Sequence, residues 1–181
     1  AKQLILPRDR LGEKPLYYGW QGSGAEAVFL FGSELKALAS HPQFSAGIDR
    51  RALSLFMRHN YVPAPWSIYE GINRLSPASY LTLEAGAREP SIRHYWSGAE
   101  VAKAGVADSL RLKPEAAVDA LELLLLSAIK QQMVADVPLS AFLSGGIDSS
   151  TVVALMQAQS SRPVKTFTIG FHEKGYNEAE H

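Results

Sequence analysis

The chain has 181 residues, and its 18 basic side chains balance its 18 acidic ones, so its formal net charge is zero. This length can bury a core in one domain or in parts of two, and the neutral balance gives no support for nucleic acid or an anionic membrane as a partner. No cysteine is present, which excludes disulfides, thiolate metal ligands and a cysteine nucleophile within these residues.

The N-terminal residues do not resemble a signal peptide. The most apolar helical stretch, residues 121–126, is too short to span a bilayer. Because the chain starts without methionine and ends within what looks like a structural element, we expect it to be part of a longer protein.

Short runs of β-forming residues separated by turns predict several strands in the first half of the chain. The strand candidates are residues 4–6, 16–18, 25–31 and 80–83, and residues 72–75 lead to a turn at Ser76 and Pro77. A glycine-rich turn at residues 21–24 joins two of them, which predicts an antiparallel hairpin. The last candidate alternates apolar and polar side chains, as an edge strand does.

Two helices are predicted in the same half from their capping residues. Ser33 is placed to N-cap a short helix that ends at Ala39. Asp49 is placed to cap a helix over residues 50–59. Close to the N-terminus, Arg8 and Asp9 form a charged pair; a catalytic role is one interpretation, and a structural ion pair is the favoured one.

The second half of the chain has a different pattern. Residues 88–113 lack a regular spacing of apolar side chains and are rich in glycine, serine and other small residues, which predicts an interdomain connection. Pro114 then fits the first turn of a helix with apolar spacing. Residues 138–143 form a short apolar run typical of a buried parallel strand, and residues 164–171 are the next strand candidate. With a helix between them, these strands predict a βαβ unit and a parallel sheet.

A glycine-rich loop, Ser-Gly-Gly-Ile-Asp-Ser-Ser at residues 144–150, lies between the first of these strands and the helix. Glycines let the backbone approach an anion closely, and a helix N-terminus supplies N–H groups and positive potential. No lysine follows the glycines, so this is not a Walker A loop. The pattern predicts a phosphate site; a Gly-Gly turn that caps an ordinary helix is the alternative.

The same loop resembles the S-G-G-x-D-S signature of the ATP pyrophosphatases, which cleave ATP between its α and β phosphates. Further stretches resemble one family in that family's order, the glutamine-hydrolysing asparagine synthetases. Residues 8–18 and 31–38 resemble the late part of their glutaminase domain, residues 93–96 the domain junction, and residues 136–150 and 166–171 the start of the synthetase domain.

The resemblance implies an α/β fold: an α+β part of a glutaminase-type sandwich, followed by a parallel-sheet ATP-pyrophosphatase unit. It implies the end of a glutamine amidotransferase domain at residues 1–97, a linker at 98–113 and the start of the synthetase domain at 114–181. The implied activity is a cytoplasmic ligase reaction. The aspartate carboxylate attacks ATP, which gives an acyl-adenylate and pyrophosphate, and ammonia from glutamine then displaces AMP.

The resemblance also implies roles for single residues. Those expected to hold the β and γ phosphates of ATP are Ser144, Gly145, Gly146, Ser149 and Ser150. Asp148 is expected to bind Mg²⁺, with a helix N-cap as the alternative. Leu143 and Ile169 are expected to contact adenosine, with a place in the core as the alternative. Residues Glu173, Glu178 and Glu180 could assist the metal, although a solvated helix start is favoured.

The chain departs from the family at the glutaminase nucleophile, an N-terminal cysteine that is absent here. No catalytic residue is therefore assigned, and we expect the isolated chain to be inactive. The implied partners are ATP, aspartate and glutamine-derived ammonia, without nucleic acid or membrane, and the resemblance allows a homodimer. The alternatives are a paralogous amidotransferase acting on another carboxylate, a non-catalytic nucleotide-binding module, and a synthetase acting on nucleotides or transfer RNA.

Overall fold

The computed structural model describes residues 2–172, which form two compact units, the first up to Asp108 and the second from Ser109 onward. Glu173, Glu178 and Glu180, named above as candidate metal ligands, lie outside the described residues. The strands are β1 (Gln3–Pro7), β2 (Tyr17–Gln21), β3 (Val28–Gly32), β4 (Ile72–Arg74), β5 (Ser79–Glu84), β6 (Ser91–His94), β7 (Ser140–Phe142) and β8 (Lys165–Phe167). The helices are α1 (Leu35–Ala39), α2 (Arg50–His59), α3 (Gly98–Ala107), α4 (Pro114–Gln132) and α5 (Ile147–Ala158), with a 3₁₀ turn at Gly24–Glu26.

The first unit contains two antiparallel three-stranded sheets, ordered β1-β5-β6 and β3-β2-β4. Side chains from both sheets meet in one core cluster, so the sheets pack as a sandwich. The buried members of this cluster are Leu6, Leu81 and Leu83 from the first sheet, Tyr18 from the second, and Leu75 just after β4. Burial of such apolar side chains contributes about 1.5–3 kcal/mol each to folding.

The four strand candidates of the first half are confirmed, with shifts of a few residues at their ends, and β4 is a strand that the sequence did not predict. The predicted hairpin is confirmed as well, because β2 pairs antiparallel with β3. The prediction that residues 80–83 form an edge strand is wrong. β5 is the central strand of its sheet, because β6 pairs with the side that β1 leaves open.

The two helix caps of this unit had different outcomes. Asp49 caps α2 as predicted, since its carboxylate accepts hydrogen bonds from the backbone N–H groups of Arg51 at 2.8 Å and Ala52 at 3.4 Å. The predicted cap at Ser33 is wrong, because α1 begins one residue later, with Glu34 at the N-cap and no side-chain capping bond. A helix of five residues has few backbone hydrogen bonds to fix its start.

Arg8 and Asp9 do not form the predicted ion pair in the part of the chain that the structure describes. The buried Arg8 guanidinium donates to three backbone carbonyls, those of Gly12 at 2.7 Å, Lys14 at 3.0 Å and Leu75. Asp9 instead accepts backbone N–H groups of the following turn. Burial lowers the pKa of Arg8, and the nearby Arg74 lowers it further. Arg8 therefore has a structural role, in which it connects three backbone carbonyls of this unit.

The second unit holds the predicted βαβ arrangement, because β7 and β8 pair in parallel on either side of α5. Pro114 occupies the first turn of α4, as predicted. A helix that the sequence did not predict, α3, lies within the expected connection at residues 98–113. The division between the two units also falls within that range, while the domain boundaries themselves stay a prediction.

The strand at residues 138–143 is shorter and far less buried than predicted. β7 spans three residues, and Phe142 is 74% exposed. Parallel strands are buried when helices cover both faces of a larger sheet, whereas β7 and β8 form a two-stranded sheet within the described residues. Among residues 2–172, no helix has both the length and the apolar character needed to cross a membrane.

Candidate functional site

The loop after β7 makes a sharp bend that only glycine accommodates without strain. Gly145 has a φ of 76°, in the left-handed region that side-chain-bearing residues rarely adopt. The chain then enters α5 at Ile147, with Gly146 as the N-cap and no side-chain capping bond. The strand, bend and helix start thus follow one another as the sequence predicted.

Two serine hydroxyls stabilise this bend by hydrogen bonds within the loop. The Oγ atoms of Ser144 and Ser149 lie 3.0 Å apart. Ser149 Oγ also accepts the backbone N–H of Ser144 at 3.3 Å and donates to the carbonyl of Gly146 at 3.1 Å. The same carbonyl accepts the backbone N–H of Ser150 at 3.1 Å. The Gly146 carbonyl is therefore held by two donors from the helix.

The exposed face of the loop presents groups suited to an anion. The first backbone N–H groups of any α-helix have no partner inside the helix, and the helix dipole makes this end positive. Gly145, Gly146 and Ser150 are all exposed at this end of α5. Such a convergence of N–H groups and hydroxyls is the arrangement by which proteins bind phosphate.

Asp148 lies in the first turn of α5 and is exposed. The alternative that it N-caps the helix is wrong, because Gly146 occupies the N-cap. Residues 2–172 contain no cluster of three or more histidine or acidic side chains that could enclose a metal ion. Mg²⁺ bound with a nucleotide needs only one or two carboxylates, since phosphates and water complete its shell. The single carboxylate of Asp148 fits that mode and does not fit an all-protein metal cage.

The carboxyl ends of β7 and β8 lie side by side next to this loop. Leu143 donates its backbone N–H to the carbonyl of Phe167 at 2.9 Å, and Thr168 Oγ1 donates to the carbonyl of Leu143 at 2.7 Å. Ligands of α/β sheets bind outside this edge. Ile169 follows β8 and is 59% exposed, which contradicts its alternative as a core residue. Thr168 lies in the stretch 166–171 that resembles the family, but the sequence analysis gave it no role.

An apolar cavity of about 360 Å³ lies elsewhere in the second unit, between α4 and α5. Its walls are Ala128, Ile129, Gln132, Met133, Leu139, Val152 and Met156. None of the residues predicted to bind ATP lines it. Its lining carries no charged group, so it lacks what a triphosphate needs.

Two family models match the chain. Residues 1–96 match the glutamine amidotransferase domain, and residues 120–181 match asparagine synthase. The glutamine amidotransferase match alone covers more than half of the chain. The loop, Asp148 and the β7 and β8 strand ends all lie within the asparagine synthase match.

Curated proteins from archaea and bacteria are similar over nearly the whole chain. A Methanocaldococcus jannaschii protein provisionally named asparagine synthetase 2 (glutamine-hydrolysing) is 36% identical over 97% of this chain and 32% of its own length. Asparagine synthetase 3 (glutamine-hydrolysing) of Bacillus subtilis is 35% identical over 94% of this chain and 26% of its own length. Asparagine synthetase 1 (glutamine-hydrolysing) of the same bacterium is 30% identical over 98% of this chain and 26% of its own length.

The chain therefore spans about a quarter to a third of the length of these curated relatives. Both family models occur in it in the order that the sequence predicted, glutamine amidotransferase first and asparagine synthase second. The chain belongs to the glutamine-hydrolysing asparagine synthetase family, in which it spans part of the glutamine amidotransferase domain and part of the synthase domain.

Proposed function

We propose that the full-length protein is a cytoplasmic ligase that uses ATP to convert aspartate into asparagine, with ammonia released from glutamine. The observation that carries this proposal is the bend at residues 144–150, which presents exposed donors at a helix N-terminus within the asparagine synthase match. The similar proteins named asparagine synthetase support the choice of aspartate as substrate.

In this proposal the loop at residues 144–150 holds the β and γ phosphates of ATP. The first-turn N–H groups and the positive end of the α5 dipole would stabilise the charge that pyrophosphate gains as it leaves. These donors are fixed by the fold before ATP arrives, so little reorganisation is needed during the reaction. Leu143 and Ile169, at the ends of adjacent strands, would contact the adenosine.

Asp148 would hold Mg²⁺ against the phosphates. It is the acidic side chain of the first turn of α5 and is exposed on the anion-binding end of the helix. When bound, the ion would supply positive charge that offsets the phosphate oxygens. The carboxylate would otherwise repel the phosphates, so its place beside them is consistent with a role in metal binding.

In the chemical step that follows, the bonds that form and break are all in the substrates. The aspartate side-chain carboxylate attacks the α phosphorus, the bond to the bridging oxygen breaks, and pyrophosphate leaves with that bond's electrons. Ammonia then attacks the acyl carbon and displaces AMP, with loss of a proton. The residues of this chain would orient ATP and stabilise the leaving pyrophosphate.

The test is a substrate panel with the full-length protein. ATP, Mg²⁺ and ammonium are supplied with aspartate, with glutamate, or with other carboxylates, and AMP and pyrophosphate are measured. We expect formation of both products to depend on aspartate, and Asp148→Ala to abolish it. AMP formation with a different carboxylate alone would assign the protein to a paralogous amidotransferase, and no AMP with any of them would favour a non-catalytic nucleotide-binding module.

A further inference from the structure

An apolar cavity of about 420 Å³ lies in the first unit, beside α2. Its volume falls within the range of small-molecule sites, about 300–1,000 Å³. Much of its wall is aromatic, formed by Tyr17, Phe56, Tyr61 and Trp66. Arg74, from β4, is the one charged residue that lines it within residues 2–172. A mostly apolar wall with a single charged group is typical of a site for a small organic molecule.

The part of the wall around Trp66 is fixed by its neighbours. The guanidinium of Arg51 lies over the Trp66 ring, 4.6 Å from the ring centroid, and the Asp49 carboxylate holds that guanidinium at 3.0 Å. The backbone N–H of Arg74 donates to the carbonyl of Pro65 at 2.8 Å, which connects this loop to β4. Because the wall is ordered in advance, a flat apolar molecule that enters the cavity loses little affinity to the ordering of side chains.

Arg74 carries a positive charge that lacks a partner. Its Nε atom is buried and has no hydrogen-bond partner, and none of the ion pairs within residues 2–172 includes its guanidinium. Burial lowers the pKa of the nearby Arg8, and the charge of Arg74 lowers it further, so two cations already lie close together here. A buried donor without an acceptor is costly, and an anion in the cavity would supply the missing acceptor.

We propose that this cavity binds a small organic anion in which a flat aromatic body carries one carboxylate. The body would lie against the aromatic wall, and the carboxylate would accept two N–H groups of Arg74, because the planar guanidinium matches a carboxylate. One cation balances a monoanion, whereas a nucleotide would bring several negative charges into an apolar wall. The cavity lies within the glutamine amidotransferase match, so this inference does not rest on the ATP loop at residues 144–150.

The test is calorimetry on the full-length protein with two probes of the same shape, 2-naphthoate and its neutral amide, 2-naphthamide. Wild type should bind naphthoate about 10- to 100-fold more tightly, because only the carboxylate makes charge-assisted hydrogen bonds to Arg74. Arg74→Met keeps an unbranched apolar side chain and should reduce this preference to less than about twofold. Since Nε has no hydrogen bond to lose, we expect the variant to unfold in urea like wild type.

Arg58→Met is the matched control, because Arg58 is exposed on α2 and does not line the cavity, and it should keep the wild-type preference. Leu53→Glu tests the site without altering Arg74. Leu53 lines the cavity and is 41% exposed, so a carboxylate there should be tolerated, occupy Arg74 and weaken naphthoate binding at least about tenfold.

The inference is overturned if wild type binds the two probes equally or binds neither of them. It is also overturned if Arg74→Met keeps the wild-type preference for naphthoate. Should Arg74→Met fail to fold, Leu53→Glu decides the question, and unchanged naphthoate binding in that variant would reject the site.

Discussion

Thr168 donates its hydroxyl to the carbonyl of Leu143 at 2.7 Å and thereby joins the carboxyl ends of β7 and β8. The two strands are short, and their register pairs Phe142 with Phe167 at the last position. The hydrogen bond therefore lies one residue beyond the last pair of the β7–β8 sheet, at the edge where the nucleotide is proposed to bind. It connects Leu143 to the residue that precedes Ile169.

Replacement of Thr168 by valine should weaken ATP binding without affecting pyrophosphate. Valine has nearly the shape of threonine but cannot donate, so about 1 kcal/mol of interaction at the strand ends is lost. We expect the dissociation constant of ATP to rise about fivefold in calorimetry with the full-length protein. Thr166→Val, two positions earlier in β8 and exposed, is the control. An equal loss for pyrophosphate would show that Thr168 acts on the phosphate loop.

Replacement of Arg8 by lysine should destabilise the first unit strongly. Lysine keeps the charge but lacks the planar fork that reaches the carbonyls of Gly12, Lys14 and Leu75 together. We expect a loss of about 2–4 kcal/mol in the free energy of unfolding, measured with urea. Arg10→Lys is the matched control, since Arg10 is exposed and lies over the Trp96 ring, and should cost less than about 0.5 kcal/mol. Similar losses in both variants would contradict the role given to Arg8.

The features that sequence analysis predicted well depend on residues close together in the chain. The Asp49 cap, the hairpin of β2 and β3, and the bend at Gly145 each involve only a few consecutive residues. Local propensity and turn chemistry act over this range, so the pattern is visible in the sequence. The strand–bend–helix core of the candidate site was predictable for the same reason.

The features it missed depend on pairing between distant residues. The central place of β5 follows from its pairing with β6, whose residues are all exposed and give no apolar alternation to read. Arg8 donates to the carbonyl of Leu75, which is far from it in the sequence. Thr168 reaches the carbonyl of Leu143 only because of the register in which β7 and β8 pair. The different bonding of Ser149 and Ser150 is equally invisible, because adjacent identical residues become distinct only once α5 orients them.

Replacement of Gly145 by alanine should destabilise the second unit. A φ of 76° brings a Cβ atom too close to neighbouring backbone, at a cost of about 1–2 kcal/mol. Gly146→Ala is the control for stability, because Gly146 has a φ of −73° and an added Cβ would meet only Ser144 Oγ at 3.5 Å. In urea unfolding, we expect Gly145→Ala to have a clearly lower free energy of unfolding than Gly146→Ala. The reverse order would mean that the bend is not in the left-handed conformation.

Asp49 should make the stability of the first unit depend on pH. The side-chain hydrogen bond from Arg51 lowers the pKa of Asp49, and the backbone N–H groups of Arg51 and Ala52 add to this. Because the folded pKa lies below the unfolded value of about 3.9, the ionised carboxylate stabilises the fold above that value. This stabilisation is lost as the pH falls through the folded pKa.

Asp49→Asn separates the charge from the cap, because asparagine caps a helix nearly as well but does not titrate. We expect wild type to be more stable than Asp49→Asn at pH 7 in thermal unfolding, with the two melting temperatures converging as the pH falls below about 3.9. Asp49→Ala loses both contributions and should be the least stable of the three at neutral pH. A gap between wild type and Asp49→Asn that stays constant from neutral to strongly acidic pH would show that the Arg51 contact stabilises only through geometry.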